Sequence, residues 1–388
     1  MDAAPEAAAP PSPILTAVSE APRAEDAARE VARGVDPART AFVLVFPHER
    51  IDPARFAAAL AEALPGVAAF GCTTAGQITP QGYASGSTLL VAFPRAHFRF
   101  ASLLIRPLSP FSMRAVSAEA RALESRFPRN ARWRRLALTF ADGLSRQEDM
   151  LAATLAAALP DLPVFGGSAG DGLAFAETCV LHGGQFQKDA ALLLLLETDL
   201  EFASLGFDHF AATERRMVVT DAVPEERLVL ELNGSPAAAE YARAVGCDVA
   251  ALSPRVFAEN PFLVRNNALY HVRAIQAVRD GQALSFLSAI DDGLMLTLGQ
   301  SVDILGTLRG SLGIRDAAGR PPGLVLGFDC VLRRLEIESR GLSDAASAIL
   351  SDARVVGFNT YGEQHLGLHV NQTFVGVAFF GPSGPDLR

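Results

Sequence analysis

Three short stretches of this chain set small hydroxyl, amide and carboxylate side chains between glycines. They are Gly71-Cys72-Thr73-Thr74-Ala75-Gly76, Gly166-Gly167-Ser168-Ala169-Gly170-Asp171-Gly172 and Gly357-Phe358-Asn359-Thr360-Tyr361-Gly362-Glu363. With so little side-chain bulk, backbone N–H groups and hydroxyls can approach a bound molecule closely. Thr73, Thr74, Ser168, Asn359 and Thr360 offer neutral hydrogen bonds, while Asp171 and Glu363 offer negative charge. That set suits an ammonium group. Arg273 is the matching anchor for a carboxylate, because a guanidinium can grip both oxygens at once. Gly71, Thr73, Thr74, Gly76, Gly166, Gly167, Ser168, Asp171, Arg273, Asn359, Thr360, Gly362 and Glu363 therefore form the candidate lining of one or two polar pockets for a zwitterion. Competing readings exist for two of them: Asp171 also suits a turn cap, and Arg273 an exposed edge or an internal salt bridge.

The elements that position these loops repeat. Gly71 and Gly166 lie 95 residues apart and their surroundings stay in register, with Gly357 heading a fainter third copy in which Glu363 falls where the first has Gln77. Each copy is preceded by an apolar run (FVLVF from Phe42, LALTF from Leu136, LVLGF from Leu324) and a helical segment. Each is followed by another apolar run: TLLVAF from Thr88, ALLLLL from Ala191, TFVGVAFF from Thr373. Runs this short and this apolar, bounded by glycine and proline, read as buried strands. One strand–helix–strand–glycine-loop–strand unit is used three times, and so long a period means repeated subdomains. The expected fold is α/β with mixed sheets. It divides into an N-terminal domain over 36–222 and a C-terminal domain over 223–384, after an Ala/Pro-rich disordered tail over 1–35, with at most a short helix over 22–33, that folding does not need. The second unit should continue in strands at 174–181, 189–196, 200–207 and 214–221. The C-terminal domain should hold a helix over 236–245 capped by Ser235, a strand over 268–278 and a helix over 301–317. Asp142-Gly143 is either a turn with the N-cap of the next helix or a neighbour of the ligand loop. Arg333 and Glu336 suit a surface pair on one helix.

The motifs GCTTAGQI, VFGGSAGDG, NGSPAAAEY from Asn233, HVRAI from His271 and GFNTYGEQ resemble those of the FIST family, a two-part bacterial sensory module. The resemblance extends from about Ala41 to Phe380. It implies a small-ligand sensor, with amino acids the usual suggestion, and it permits haem, since some members bind haem and sense nitric oxide. A haem would need an axial ligand in an apolar pocket, for which His182, His209, His271 and His369 are candidates. The resemblance leads to two expectations: an amino-acid sensor without cofactor, or a haem-binding nitric-oxide sensor.

Composition narrows the remaining classes. The chain has 388 residues, is 49% hydrophobic and 20% charged, and carries a net charge of −9, which speaks against nucleic-acid or anionic-membrane partners. Cys72, Cys179, Cys247 and Cys330 are far apart, which points to reduced thiols and a cytoplasmic protein. Cys72, inside the first loop, is either shielded by ligand or buried and inert. No apolar run reaches the length of a membrane span and no basic leader precedes one. A phosphate-binding GxxxxGK[ST] loop and an HExxH zinc pair are both absent from the sequence. His365 and His369 are spaced for metal on a helix but flank an expected strand. Catalysis at Thr73 or Ser168 would need a base beside it, so an enzyme ranks behind both sensor readings. A sensor of this kind acts through a separate signalling protein such as a histidine kinase.

Overall fold

The computed structural model describes residues 12–266 and 269–381. Its fold is mixed α/β, and the three copies become three equivalent sheets. The first runs Leu15–Ser19, Thr88–Pro94, Thr40–Phe46, Ala68–Cys72, Val180–His182, Gln185–Gln187. The second runs Phe98–Ile105, Ala191–Thr198, Arg134–Ala141, Val164–Ser168, Glu363–His365, Leu368–Val370. The third runs Phe202–Phe207, Phe374–Phe379, Leu324–Cys330, Val355–Thr360, Gln77–Thr79, Gly82–Ala84. In each, one parallel pair is flanked by antiparallel neighbours.

The registers are superimposable: Val45 faces Gly71, Thr139 faces Gly166, and Gly327 faces Gly357. A methyl group on these three glycines would stand 1.8–1.9 Å from the carbonyl oxygen opposite, so only glycine permits the approach. The hairpin after each glycine loop leaves its own sheet. The first unit's hairpin joins the third sheet, the second's joins the first, and the third's joins the second. This exchange closes a ring.

The paired strands read as continuous apolar runs because both their faces are covered. Their inner faces form one core in which Phe46, Phe140 and Phe328, the last residues of the runs FVLVF, LALTF and LVLGF, meet around Phe358. Ring centroids there lie 4.7–5.8 Å apart, the spacing of favourable aromatic pairs. The outer faces are sealed by helices, including Pro53–Ala63, Glu148–Ala158 and Ser343–Asp352.

The third unit is interrupted. Between Phe202–Phe207 and the helix Ile304–Leu312 the chain builds a further antiparallel sheet, in the order Leu269–Arg273, Phe262–Asn266, Met295–Ser301, Phe210–Val223, Leu228–Leu232, Ala283–Phe286, Ile275–Arg279. Helix Ala237–Val245 packs on it through Tyr241. Because Phe202–Phe207 pairs with Phe374–Phe379, a cut at 222/223 parts that strand from its sheet.

Several expectations need correction. Residues 15–32 are not a tail: Leu15–Ser19 pairs with Thr88–Pro94, and the helix Ala24–Ala32 buries Ala24, Ala27, Ala28 and Val31. The short helix that the sequence allows over 22–33 is present; what alanine is too weakly apolar to announce is the stripe by which it packs. Residues 1–11 of the expected tail lie outside the described residues. The strand expected over 174–181 begins only at Val180, because Asp171 organises the preceding residues as a loop. The strand expected over 268–278 is two strands, Leu269–Arg273 and Ile275–Arg279, separated at Ala274. Ser235 belongs to a short bridge and does not cap the helix, which opens after Pro236. The helix expected over 301–317 is confined to Ile304–Leu312, with Asp303 as its cap. Arg333 and Glu336 are both buried and make no pair on the surface.

Candidate functional site

The glycine loops meet at one end of the ring and bind one another. Thr73 N–H donates to Cys179 O, Ala75 N–H to Asn359 O, Asn359 N–H to Gly76 O, Ser168 N–H to Gly362 O and Gly170 N–H to Thr73 O, all within 2.7–3.0 Å. Most of the polar side chains between them are equally engaged. Thr74 is buried between Pro47 O and the amide of Gln77. Asn359 is buried, accepting from Arg334 and donating to Asp329 O. Thr360 donates to Glu363, whose other oxygen accepts from the N–H and hydroxyl of Thr373. Burial outweighs these bonds and pushes the Glu363 carboxyl up to about 8. Gly167 lies against Thr360, and Gly362 against His369 and Asn371, where side chains would collide. Asp171 ties down its own loop, accepting from the N–H groups of Phe175, Ala176 and Glu177 and from the Tyr361 hydroxyl. Asp142 similarly holds Leu144, Thr178 and Asp189. Cys72 is fully buried, and burial raises its thiol well above the ordinary range.

Two of the three junctions between units leave cavities. One, of about 270 Å³, opens at the end of Thr40–Phe46 and receives Thr73 and Asp171 beside His48 and Glu49. The other, of about 250 Å³, is lined by Gly76 and Ser85 of the first unit, Gly172 and Leu173 of the second, and Arg334 and Glu338 of the third. Glu49 reaches both. Arg334 is the organising residue of the second cavity: its guanidinium donates to Ala84 O, Asn359 Oδ1, Ser85 Oγ and Glu338 Oε1 at 2.6–3.0 Å. Gly76 makes room for it, since a methyl group there would stand 2.1 Å from Nη1.

The third junction is plugged by the inserted sheet. Arg227 reaches from it to Glu148 at 2.6 Å and Asp149 at 2.9 Å, and Ser288 bonds Asn371. Arg273 also points here. Nη1 makes only long contacts, 3.4 Å to His369 O and 3.5 Å to Val272 O, and Nε has no partner. Sequence reasoning thus gathered Gly76 on one cavity, Thr73 and Asp171 on its neighbour, and Arg273 at the third junction. It missed Ser85, Glu49, Arg334 and Glu338. The signal was present: Arg334 and Glu338 stand four apart on a helix that begins where an apolar motif strand ends.

A second missed group lies behind Arg334. Asp329, Arg333, His209 and Glu336 form a buried chain with contacts of 2.8, 2.7 and 2.7 Å, extended by Ser301 to Glu336 at 2.6 Å and by Tyr83 to Asp329. Arg333 can only donate, so His209 Nδ1 accepts and its Nε2–H donates to Glu336. Burial lowers the His209 pKa to about 4, which keeps it neutral in this role.

Two family models match the chain, and the boundary between them falls inside the inserted sheet. The FIST N domain matches residues 41–235 and the FIST C domain residues 237–365. The chain belongs to the FIST family. FIST domains are associated with sensory signal transduction and small-ligand binding, and the family is not a known enzyme class. No curated protein matches the chain. Among the described residues no helix is long and apolar enough to cross a membrane.

Two chemistries can be tested on the FIST protein's own residues. The expectation that the chain has no G-x-S-x-G pattern of a hydrolase nucleophile elbow needs correction as to the pattern, since Gly166 to Gly170 spells it. An elbow exposes its serine between strand and helix. Here Ser168 ends a strand, is fully buried, and its neighbour is the Gln364 amide, which cannot take a proton. For haem, His209 is locked between Arg333 and Glu336, and His369 is buried against Gln364. His182 and His271 reach cavities of only about 310 and 220 Å³, and His182 Nε2 is 3.1 Å from Ser102 Oγ. Those volumes sit at or below the lower bound for drug-sized ligands, and a porphyrin is larger. The residues do not fit haem. His365 and His369 stand on facing strands of a hairpin and alternate faces, and no cluster suited to a metal ion occurs among the described residues.

Proposed function

We propose that this FIST protein is a cytoplasmic sensor of a free amino acid, held in the cavity around Arg334, and that it acts through a separate signalling protein such as a histidine kinase. The observation that carries this reading is the convergence of both charge signs on one cavity to which all three units contribute. Arg334 and Ser85 can take a carboxylate, while Glu338 and Glu49, whose side chains are 44% and 26% exposed, can take an ammonium group. Leu173, Val331 and Leu335 supply apolar contact for a side chain. The helix Val331–Ser339 offers a route outward: Arg334 and Glu338 face the cavity, whereas Arg333 bonds His209, on the link into the inserted sheet, and Glu336 bonds Ser301 of that sheet.

The test is calorimetry of the purified protein against the common amino acids. Arg334→Lys and Glu338→Gln should each weaken binding about tenfold or more, equal to about 1.4 kcal/mol. Arg273→Ala should leave affinity unchanged; the reverse pattern would move the ligand to the plugged junction. No binding by any amino acid overturns the reading, and a Soret band in the purified protein would favour haem despite the poor fit.

A further inference from the structure

Each helix that follows a motif strand also covers the hairpin received from another unit, so the molecule contains three versions of one contact. In two of them the hairpin touches the helix at or next to its turn. A methyl group on Gly367 of the third hairpin would stand 2.6 Å from Ala156 Cβ. At the first hairpin Ser347 Oγ accepts from Tyr83 N–H at 3.2 Å and Ser351 Oγ donates to Pro80 O at 2.7 Å. The second hairpin packs on helix Pro53–Ala63 through Leu181 and Phe186, but its turn stands clear: methyl groups on Gly183 and Gly184 would meet nothing within 4 Å. The gap between this hairpin and helix Pro53–Ala63 is a cavity of about 310 Å³. Its walls are Leu60, Leu64, Val67, Phe70, Phe100 and Leu181. One polar group sits on this lining, the pair His182–Ser102, with the imidazole 5.8 Å from the Phe70 ring. Burial lowers the pKa of His182, so the ring is neutral and can both donate and accept.

We propose that this cavity is a second binding site, for a compact apolar molecule of single-ring size bearing one hydrogen-bonding group, which pairs with His182 and Ser102. The volume exceeds the roughly 150 Å³ at which an engineered apolar void takes up benzene. The walls exclude a charged ligand, because none of them carries a charge to pair with it. The equivalent contacts, closed by direct packing, show that the fold does not require the gap. The site is separate from the Arg334 cavity and does not depend on the amino-acid reading.

Phenol and toluene are the probes, titrated into the full-length protein by calorimetry. Phenol should bind at millimolar concentration or below, and about fivefold or more better than toluene, a difference of about 1 kcal/mol. Ala57→Leu fills the wall, and Ala61→Leu fills the exposed mouth, where folding is not at risk. Each should weaken phenol about tenfold or more with no fall in melting temperature. His182→Phe should keep toluene binding and bring phenol to its level. No phenol binding, binding indifferent to Ala61→Leu, or a phenol preference that survives His182→Phe would each overturn the proposal.

Discussion

Replacing Arg227 with Met should detach the inserted sheet from the ring. The guanidinium spends its hydrogen bonds on Leu287 O at 2.5 Å, Glu148 at 2.6 Å and Asp149 at 2.9 Å. The side chains of Arg227 and Glu148 are 6% and 2% exposed, so the substitution strands a buried carboxylate. Breaking a buried pair in this way costs about 3–5 kcal/mol, and the bond to Leu287 adds about 1 kcal/mol. Asp149 suffers less, being 20% exposed and retaining the Ala289 N–H at 3.0 Å. Most of the penalty belongs to the stranded charge, so Arg227→Met with Glu148→Gln should recover a coupling of about 2–3 kcal/mol. The assay is urea unfolding of the four proteins, followed by circular dichroism and by the fluorescence of Trp133, the single tryptophan, which lies in the second unit. In Arg227→Met the two probes should cease to coincide, because the sheet that the tryptophan does not report melts first. Stability within about 0.5 kcal/mol of the parent, or additive effects of the two substitutions, would refute the claim that this pair anchors the sheet.

Two further outcomes follow from burial. Glu363 titrates near 4.5 when unfolded and near 8 when folded, so it holds its proton longer in the folded state. Its contribution is full below about 4.5 and is lost as pH rises through about 8. Urea midpoints should fall from pH 7 to pH 9 for the parent and stay closer together for Glu363→Gln; the window avoids His48, His182, His209, His271, His365 and His369, whose burial-lowered values place their opposite effect below about 6.5. Removing residues 1–34 deletes a paired strand and the helix that buries Ala27, Ala28 and Val31. The shortened protein should lose many degrees of melting temperature or fail to fold; a change of a few degrees would contradict the packing described.

The repeat was legible because its apolar strands are buried on both faces and its glycines admit no substitute. FVLVF, LALTF and LVLGF announced the three sheets, and their terminal phenylalanines proved to be the centre of the core. The loops were located correctly, but whether their polar groups faced a ligand or each other depended on the hairpin exchange, which is long-range and leaves no local pattern. Asp171 illustrates this: its residue type suited an ammonium group, yet three N–H groups of its own loop occupy it. Arg334 was hidden for the opposite reason. It follows Arg333 on a helix that looked like surface, and only the fold distinguishes the arginine on the cavity from the one buried beneath it.

The interruption of one unit makes the three junctions of the ring unequal. Three equivalent junctions would respond alike to anything bound between them. Here the junction at Glu148 is occupied by the chain's own Arg227, which leaves the cavities around Arg334 and His48 open on the other two. The sheet that fills one junction also holds His209 and Ser301 against the helix that carries Arg334. Movement of that helix would be passed through Glu336 to Ser301 of the inserted sheet and through Arg333 and Glu336 to His209 on the link into it, while Arg333 stays tied to the ring by Asp329. A ligand can shift this arrangement only by the difference in its affinity for the two helix positions. On the proposed reading, a bound carboxylate would compete with Ser85, Asn359 and Glu338 for the donors of Arg334 and so load the helix that carries it.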